Sequence, residues 1–153
     1  MHFGPVVSEA EISLVCHFNQ WGNMVRGKIL VVEDNELYAE ILKLYLEKKG
    51  HTVYVVRDGE SACKEVLEIG PDIILLDIIL PGMSGIAVCQ RLKSDPDLHT
   101  IPIIMLSVKS EAKDVSLAIR AGANEYLTKK TDIESIWAQL DEKIEHHLVE
   151  KIG

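Results

Sequence analysis

Basic residues are sparse in this sequence of 153 residues, which has 16 Lys and Arg against 24 Asp and Glu and a formal net charge of -8. The longest basic groupings are the pairs Lys48-Lys49 and Lys129-Lys130. Proteins that bind nucleic acid need a basic patch to neutralise phosphates. The shortage of basic residues therefore argues against nucleic acid as a direct partner.

Long apolar runs and an N-terminal targeting signal are also lacking. No stretch reaches the ~18 apolar residues of a membrane span, and no basic segment precedes a hydrophobic one near the N-terminus. The three cysteines, Cys16, Cys63 and Cys89, are an odd number without metal-ligand spacing. This pattern is typical of buried thiols in a reducing compartment. We expect a cytoplasmic protein with no membrane partner.

Internal repeats, low-complexity tracts and signs of a second domain are absent as well. The composition, 47% hydrophobic and 26% charged, is that of a globular domain with a sizeable core. Residues 1–27 differ from the rest in having one basic residue and no alternating strand pattern, although "SEAE" fits a helix capping box. We expect residues 1–27 to be an extension, either disordered or a short helix, and residues 28–150 to form one domain.

From residue 28 onward, short apolar runs alternate with segments of helical periodicity that end at Gly or Pro. The predicted strands are residues 28–33, 51–56, 72–77, 101–107 and 125–128. The predicted helices are one that begins at the cap Asp34 and closes at Gly50, and then residues 60–69, 85–93, 110–121 and 132–149.

Apolar residues at helical spacing predict the core face of three of these helices. They are Leu37, Ile41, Leu44 and Tyr45 in the first helix, Ala62, Val66 and Leu67 in the second, and Ile133, Ile136, Trp137, Leu140, Ile144 and Leu148 in the last. Trp137 is expected in the core rather than on a dimer surface. The strands lack clear polar alternation, so both of their faces must be covered. This predicts an α/β fold, a parallel sheet with helices on both faces.

Polar residues end the predicted strands where a ligand site would lie. Glu33 and Asp34 end the first strand, Asp77 ends the third, Ser107 ends the fourth and Lys129 follows the fifth. Open parallel sheets bind ligands at the carboxyl ends of their strands, where the strand order reverses. In the doubly wound order 2-1-3-4-5 the first and third strands are neighbours. The three carboxylates should therefore converge.

Each of these residues has an ordinary explanation when taken alone. An Asp at a strand end often caps a helix, a Ser there is often a satisfied hydroxyl, and a Lys is often solvated. Their joint placement at four strand ends is what indicates chemistry. Three converging carboxylates repel one another unless a cation lies among them, and Mg²⁺ prefers such oxygen ligands. Beside Lys129 and Ser107, Asp77 would then be placed to accept a phosphoryl group.

Four segments, in this order and spacing, resemble the receiver domain of two-component response regulators: "ILVVEDN", "DIILLDIILPGMSG", "IPIIMLSVKS" and "GANEYLTKK". The resemblance covers residues 28 to about 150. It implies a flavodoxin-like fold in which Asp77 accepts phosphate from a histidine kinase or phosphotransfer protein. It also implies a signalling module rather than an enzyme, which catalyses its own phosphorylation and slow dephosphorylation.

The resemblance further implies a ligand set for the metal ion. Asp34, Asp77 and the backbone carbonyl of Ile79 would bind Mg²⁺ directly, with Mn²⁺ as an alternative. Glu33 would act mainly through a metal-bound water.

The remaining site residues would form the switch that the resemblance implies. Ser107 and Lys129 would contact the phosphoryl oxygens, and Tyr126 would turn inward as Ser107 moves toward the phosphate. The surface of the fourth helix, fifth strand and fifth helix would then signal in trans to an unknown protein target, without a fused output domain. The chain would act as a monomer or as a phosphorylation-linked homodimer.

Departures from the family pattern carry expectations of their own. Lys130 stands where a proline is usual, so the preceding peptide is either trans or a strained cis bond. Val108 is larger than the usual residue and is expected to crowd the entrance to Asp77. Ile79 and Lys109 occupy positions that govern the attack of water on the phosphoaspartate. An apolar Ile79 cannot orient a water molecule, which predicts slow loss of phosphate. Two glycines, Gly82 and Gly85, are expected to permit the turns near the site.

Three other functions fit parts of the sequence less well. A phosphatase of the haloacid dehalogenase type needs a second Asp two residues after the nucleophile, and that position is Ile79. A flavin-binding module needs a loop rich in Ser, Thr and Gly after the first strand, whereas "EDNELY" is acidic and would repel phosphate. A pseudo-receiver that only docks partners is disfavoured because every expected type of site residue is present.

Overall fold

The structure, a computed structural model, describes residues 25–152, and the predictions for residues 1–24 lie outside them. The strands are β1 (Lys28–Val32), β2 (Thr52–Val56), β3 (Ile73–Leu76), β4 (Ile103–Ser107) and β5 (Glu125–Thr128). The helices are α1 (Glu36–Lys48), α2 (Gly59–Ile69), α3 (Gly85–Lys93), α4 (Ala112–Arg120) and α5 (Ile133–Ile152). In this part of the chain, every helix is too short or too polar to cross a bilayer.

The strands form one sheet in the order β2-β1-β3-β4-β5, and every neighbouring pair is parallel. The predicted doubly wound α/β fold is therefore confirmed. Val32 at the end of β1 is paired with Leu76 at the end of β3. The next residues along these strands, Glu33 and Asp77, consequently leave the sheet side by side.

The core lies in two layers, one on each face of the sheet. Alternate residues of β1 show why, because Ile29 and Val31 face one layer while Leu30 and Val32 face the other. Apolar residues of α1 and α5 pack in the first layer, and residues of α2, α3 and α4 pack in the second. Burial of both faces accounts for the strands' lack of polar alternation.

The predicted core face of α1 was only partly correct, because Tyr45 packs against the core but Leu37 and Leu44 do not. Leu37 and Leu44 are 70% and 61% exposed, whereas Ala39, Leu42 and Leu46 are buried. Both sets have helical spacing, and at 3.6 residues per turn Leu37 and Ala39 lie about 200° apart around the helix. Periodicity alone does not distinguish two such stripes, and packing against the sheet selects the second.

Predictions near three helix ends also need correction. The cap of α1 is Asn35 rather than Asp34, because the Asn35 side chain accepts a hydrogen bond of 2.9 Å from the Tyr38 backbone N–H. Asp34 therefore stays exposed in the loop after β1. Leu67 near the end of α2 is 67% exposed, and Ile133 at the start of α5 is 43% exposed.

The prediction for Trp137 was correct, since its side chain packs against the core layer shared by α1 and α5. Its ring stacks on that of Tyr45, with the ring centroids 4.2 Å apart. A buried ion pair between Lys49 and Asp141, with an N–O distance of 3.6 Å, joins the same two regions. The hydroxyl of Tyr45 also donates to the Asp141 carboxylate. These contacts hold α5 against the helix that follows Glu33.

Candidate functional site

A lysine ammonium joins two carboxylates at the carboxyl end of the sheet. Lys129 Nζ donates to Glu33 Oε2 at 2.6 Å and to Asp77 Oδ2 at 2.8 Å. The side chains of Lys129, Glu33 and Asp77 are 8%, 4% and 7% exposed. The strand order explains the arrangement, because β1, β3 and β5 all end at this edge.

The remaining oxygen of each carboxylate accepts a hydrogen bond from the backbone. The Ile79 N–H donates to Asp77 Oδ1 at 3.1 Å, and the Asn35 N–H donates to Glu33 Oε1 at 3.2 Å. Both acidic side chains are thus fixed from two sides. A reactive oxygen at Asp77 would be presented with little freedom to reorient.

The ring of Tyr38, in the first turn of α1, packs against the Lys129 ammonium that joins the two carboxylates. The Lys129 ammonium lies 4.2 Å from the centroid of the Tyr38 ring, within the range of a cation–π contact. Burial, together with the negative charges of Glu33 and Asp77, raises the pKa of Tyr38 to about 12. Nothing in the sequence singles out Tyr38 except closeness to Glu33.

The site keeps an excess of negative charge. One ammonium faces the two carboxylates of Glu33 and Asp77, and Asp34 adds an exposed carboxylate in the next loop. Burial raises the pKa of Glu33 above its ordinary value even though the contact with Lys129 opposes this shift. A further cation would relieve this imbalance.

The predicted convergence of three carboxylates is found for two of them. Among residues 25–152, Glu33, Asp34 and Asp77 do not form a group with ligand atoms within 4.8 Å of one another. The Lys129 ammonium binds both Glu33 and Asp77. Asp34, the residue after Glu33 in the chain, is not part of this pair of contacts. Ile79, whose carbonyl was predicted as a metal ligand, is 49% exposed.

Ser107 and Tyr126 are linked through the backbone of Lys109. Ser107 is fully buried, and its Oγ accepts a long hydrogen bond of 3.4 Å from the Lys109 N–H. The Tyr126 hydroxyl donates to the Lys109 carbonyl. Burial, with a contribution from the charges of Asp114 and Asp77, raises the pKa of Tyr126 to about 12. Because both side chains contact the Lys109 backbone, a movement of Ser107 would shift Lys109 and so change the position of the Tyr126 hydroxyl.

Two glycines near Asp77 are required for different reasons. Gly82 has a φ of +71°, as expected of a turn. Gly85 is needed because a Cβ there would lie 2.0 Å from the backbone oxygen of Asp77.

The peptide between Lys129 and Lys130 is trans, which resolves the question raised by the missing proline. Val108 is 46% exposed beside the site.

Residues 29–141 match the response regulator receiver domain family. The chain belongs to this family. A curated relative, the DNA-binding response regulator MtrA of Mycobacterium tuberculosis (strain ATCC 25618 / H37Rv), is 42% identical over 105 residues. That match covers 69% of this chain and 45% of MtrA, so the chain spans less than half the length of this relative.

Solved receiver domains share the fold. The signal receiver domain of a histidine kinase from Syntrophus aciditrophicus is 36% identical, with a TM-score of 0.73 and coverage of 81% of this chain and 91% of that one. The receiver domain of sensor histidine kinase PA1611 from Pseudomonas aeruginosa PAO1 has magnesium coordinated in its active site cleft. It is 27% identical, with a TM-score of 0.71 and coverage of 80% and 97%. The chain thus contains a receiver domain of two-component signalling, a module that switches by phosphorylation.

Proposed function

We propose that this receiver domain, over residues 28–150, is switched by a phosphoryl group that Asp77 accepts from a histidine kinase or phosphotransfer protein. The contact between Lys129 Nζ and Asp77 Oδ2 at 2.8 Å carries this proposal. It sets a fixed positive charge against the one buried carboxylate that ends the central strand β3. The negative charge of a phosphoryl group on Asp77 would therefore be stabilised by the ammonium of Lys129.

The chemistry would be an in-line transfer to oxygen. An oxygen of Asp77 attacks the phosphorus, an O–P bond forms, and the P–N bond of the donor's phosphohistidine breaks, with the electron pair leaving on nitrogen. The Lys129 ammonium, which donates to Asp77 Oδ2 before the transfer, would donate to the phosphoryl oxygens after it and stabilise their negative charge. The buried hydroxyl of Ser107 supplies a neutral donor from β4.

The oxygen-rich donor set at this edge fits a hard divalent cation. Glu33 and Asp77 already enclose one positive charge between them, and a net negative charge remains. Asp34, Asp77 and the Ile79 carbonyl would hold Mg²⁺ or Mn²⁺ directly, and Glu33 would hold it through water. When bound, such an ion neutralises charge on the transferring phosphoryl group. The magnesium in the P. aeruginosa relative supports this assignment.

The output would run from Ser107 through Lys109 to Tyr126, and from there to the surface of α4, β5 and α5. Leu117, Ile119 and Ile133 on this surface are between 43% and 51% exposed. The target would be a protein bound in trans, either by a monomer or by a phosphorylation-linked homodimer.

Incubation with Mg²⁺ and acetyl phosphate, followed by intact mass measurement, tests the proposal. We expect one phosphoryl adduct per chain, which Asp77→Asn and removal of Mg²⁺ both abolish. Continuous hydrolysis of the donor without an adduct would instead indicate a phosphatase. No adduct at any Mg²⁺ concentration would indicate a pseudo-receiver. Millimolar Mg²⁺ should also raise the melting temperature of the wild type, since it binds the folded chain.

A further inference from the structure

A second cluster of possible metal ligands lies far along the chain from Asp77, near the C-terminal end of α5. His146, His147 and Glu150 each place one ligand atom within 4.8 Å of the other two. His147 Nε2 lies 3.4 Å from an oxygen of Glu125, at the start of β5. The cluster therefore sits at the amino end of the parallel sheet, opposite the edge that carries Asp77.

His147 is the residue that indicates a ligand. Its side chain is 10% exposed, and its buried Nε2 atom makes no hydrogen bond, although an oxygen of Glu125 lies 3.4 Å away as a possible ion-pair partner. A buried polar atom without a hydrogen bond is costly, so such an atom calls for an explanation. A metal ion beside His147 and Glu125 would satisfy this nitrogen.

Two of the distances in and around the cluster are compatible with a zinc site. Two ligands bound to one tetrahedral Zn²⁺ at about 2.1 Å lie about 3.3–3.4 Å apart. His146 Nε2 lies 3.3 Å from Glu150 Oε1, and the distance from His147 to Glu125 is 3.4 Å. His146 and Glu150 are 58% and 64% exposed, so their side chains have room to turn toward a common ion.

The surroundings leave space and negative charge for a cation. A cleft of about 310 Å³ is lined by His147 and Glu150 together with Asp72 and Lys151. Lys151 is paired with Asp72, which also accepts a hydrogen bond from the Lys28 backbone N–H at 2.8 Å, and Lys143 is paired with Glu125 Oε2 at 3.2 Å. Glu150 is in neither lysine pair.

From these observations we infer that His146, His147 and Glu150 bind a divalent transition-metal ion, Zn²⁺ or an ion of similar preference, with Glu125 as the nearest candidate for a fourth ligand. Two imidazoles and a carboxylate suit such an ion better than Mg²⁺, which prefers oxygen ligands. The site is separate from the phosphoacceptor edge, so it does not depend on the function proposed for Asp77.

The test is calorimetric titration of the full chain, without a polyhistidine tag, with Zn²⁺ in the presence of saturating Mg²⁺. We expect one Zn²⁺ per chain with a dissociation constant in the micromolar range. Removing an outer partner of a metal site costs about 10–100-fold in affinity, so removal of a direct ligand by His146→Gln or Glu150→Gln should cost at least as much. Both residues are exposed, and these variants should fold normally.

Controls separate this site from other Zn²⁺ ligands. His99→Gln and Glu142→Gln remove an exposed imidazole and an exposed carboxylate outside the cluster, and Asp77→Asn alters the phosphoacceptor edge. All three should bind Zn²⁺ as the wild type does, and the ring ¹⁵N signals of His146 and His147 should shift on titration. Absence of Zn²⁺ binding, unchanged binding in His146→Gln and Glu150→Gln, or loss of binding in Asp77→Asn would each overturn the inference.

Discussion

Lys129 reaches across the sheet from the end of β5 to Asp77 at the end of β3, with 2.8 Å between Nζ and Oδ2. The same ammonium holds Glu33 from β1, so one side chain neutralises charge from two strands. Stability and reactivity are therefore coupled at this edge. Removing Lys129 should damage the folded state as well as phosphoryl transfer.

The first prediction concerns Lys129→Met, which leaves two buried carboxylates without their counter-ion. Breaking a buried ion pair by removal of one partner costs about 3–5 kcal/mol. We expect a loss of that order in the free energy of unfolding, measured by urea denaturation, and no phosphoryl adduct. Lys130→Met is the matched control, because Lys130 is exposed and its loss should change stability by less than about 0.5 kcal/mol. Equal stability of the two variants would contradict the bridge.

The pH dependence of stability should reveal the burial of Glu33. Its folded pKa is raised above 4.5 by burial, so between 4.5 and the folded value the folded protein keeps a proton that the unfolded chain has lost. The Glu33 contribution to the free energy of unfolding therefore falls as pH rises through this window. The stability of wild type minus that of Glu33→Gln should decrease from pH 4.5 upward and then level off. A difference that grows with pH would show that Lys129 outweighs burial and lowers the pKa of Glu33.

The parallel sheet and the placement of Glu33, Asp77, Ser107 and Lys129 at its carboxyl edge could be predicted because they depend on simple regularities. Apolar runs without alternation indicate strands buried on both faces, and the carboxyl ends of parallel strands meet at one edge. The pairing of Val32 with Leu76 then places Glu33 beside Asp77. None of this requires knowledge of side-chain packing.

Features that depend on packing could not be predicted. Helix α1 has two stripes of apolar residues, and only contact with the sheet decides that Leu42 rather than Leu44 is buried. The ring of Tyr38 meets Lys129 across 91 residues of chain, so no local pattern signals the contact. The role of Tyr126 in switching, and the roles of Ile79 in metal binding and in the loss of phosphate, rest on the family resemblance and stay predictions.

Gly85→Ala should disturb the phosphoacceptor directly. The added Cβ would lie 2.0 Å from the Asp77 oxygen and 2.8 Å from the Ile78 Cα, both of which are backbone atoms. We expect a loss of about 1–3 kcal/mol in the free energy of unfolding from overpacking, and slower phosphorylation because Asp77 must shift. Phosphorylation is followed by intact mass at a fixed concentration of acetyl phosphate.

Gly70→Ala is the control for a glycine substitution that leaves the site alone. Gly70 has a φ of +60°, and a Cβ there would meet nothing within 4 Å. Its left-handed backbone should cost about 1–2 kcal/mol on substitution, while the rate of phosphorylation stays at the wild-type value. Wild-type phosphorylation in Gly85→Ala would show that the close approach to Asp77 is unimportant.

The lifetime of the phosphorylated state should depend on Ile79. This residue is 49% exposed and its N–H donates to Asp77 Oδ1 at 3.1 Å, and the family resemblance predicts that its side chain governs the attack of water on the phosphoaspartate. An apolar side chain cannot orient that water. Ile79→Asn should therefore shorten the half-life of the phosphorylated protein by about tenfold, a lowering of the barrier by about 1.4 kcal/mol. Ile79→Val keeps the site apolar and should preserve the slow decay, which is measured as loss of the phosphoryl adduct after removal of donor. A wild-type half-life of seconds, or equal decay in the two variants, would show that another group controls the attack of water.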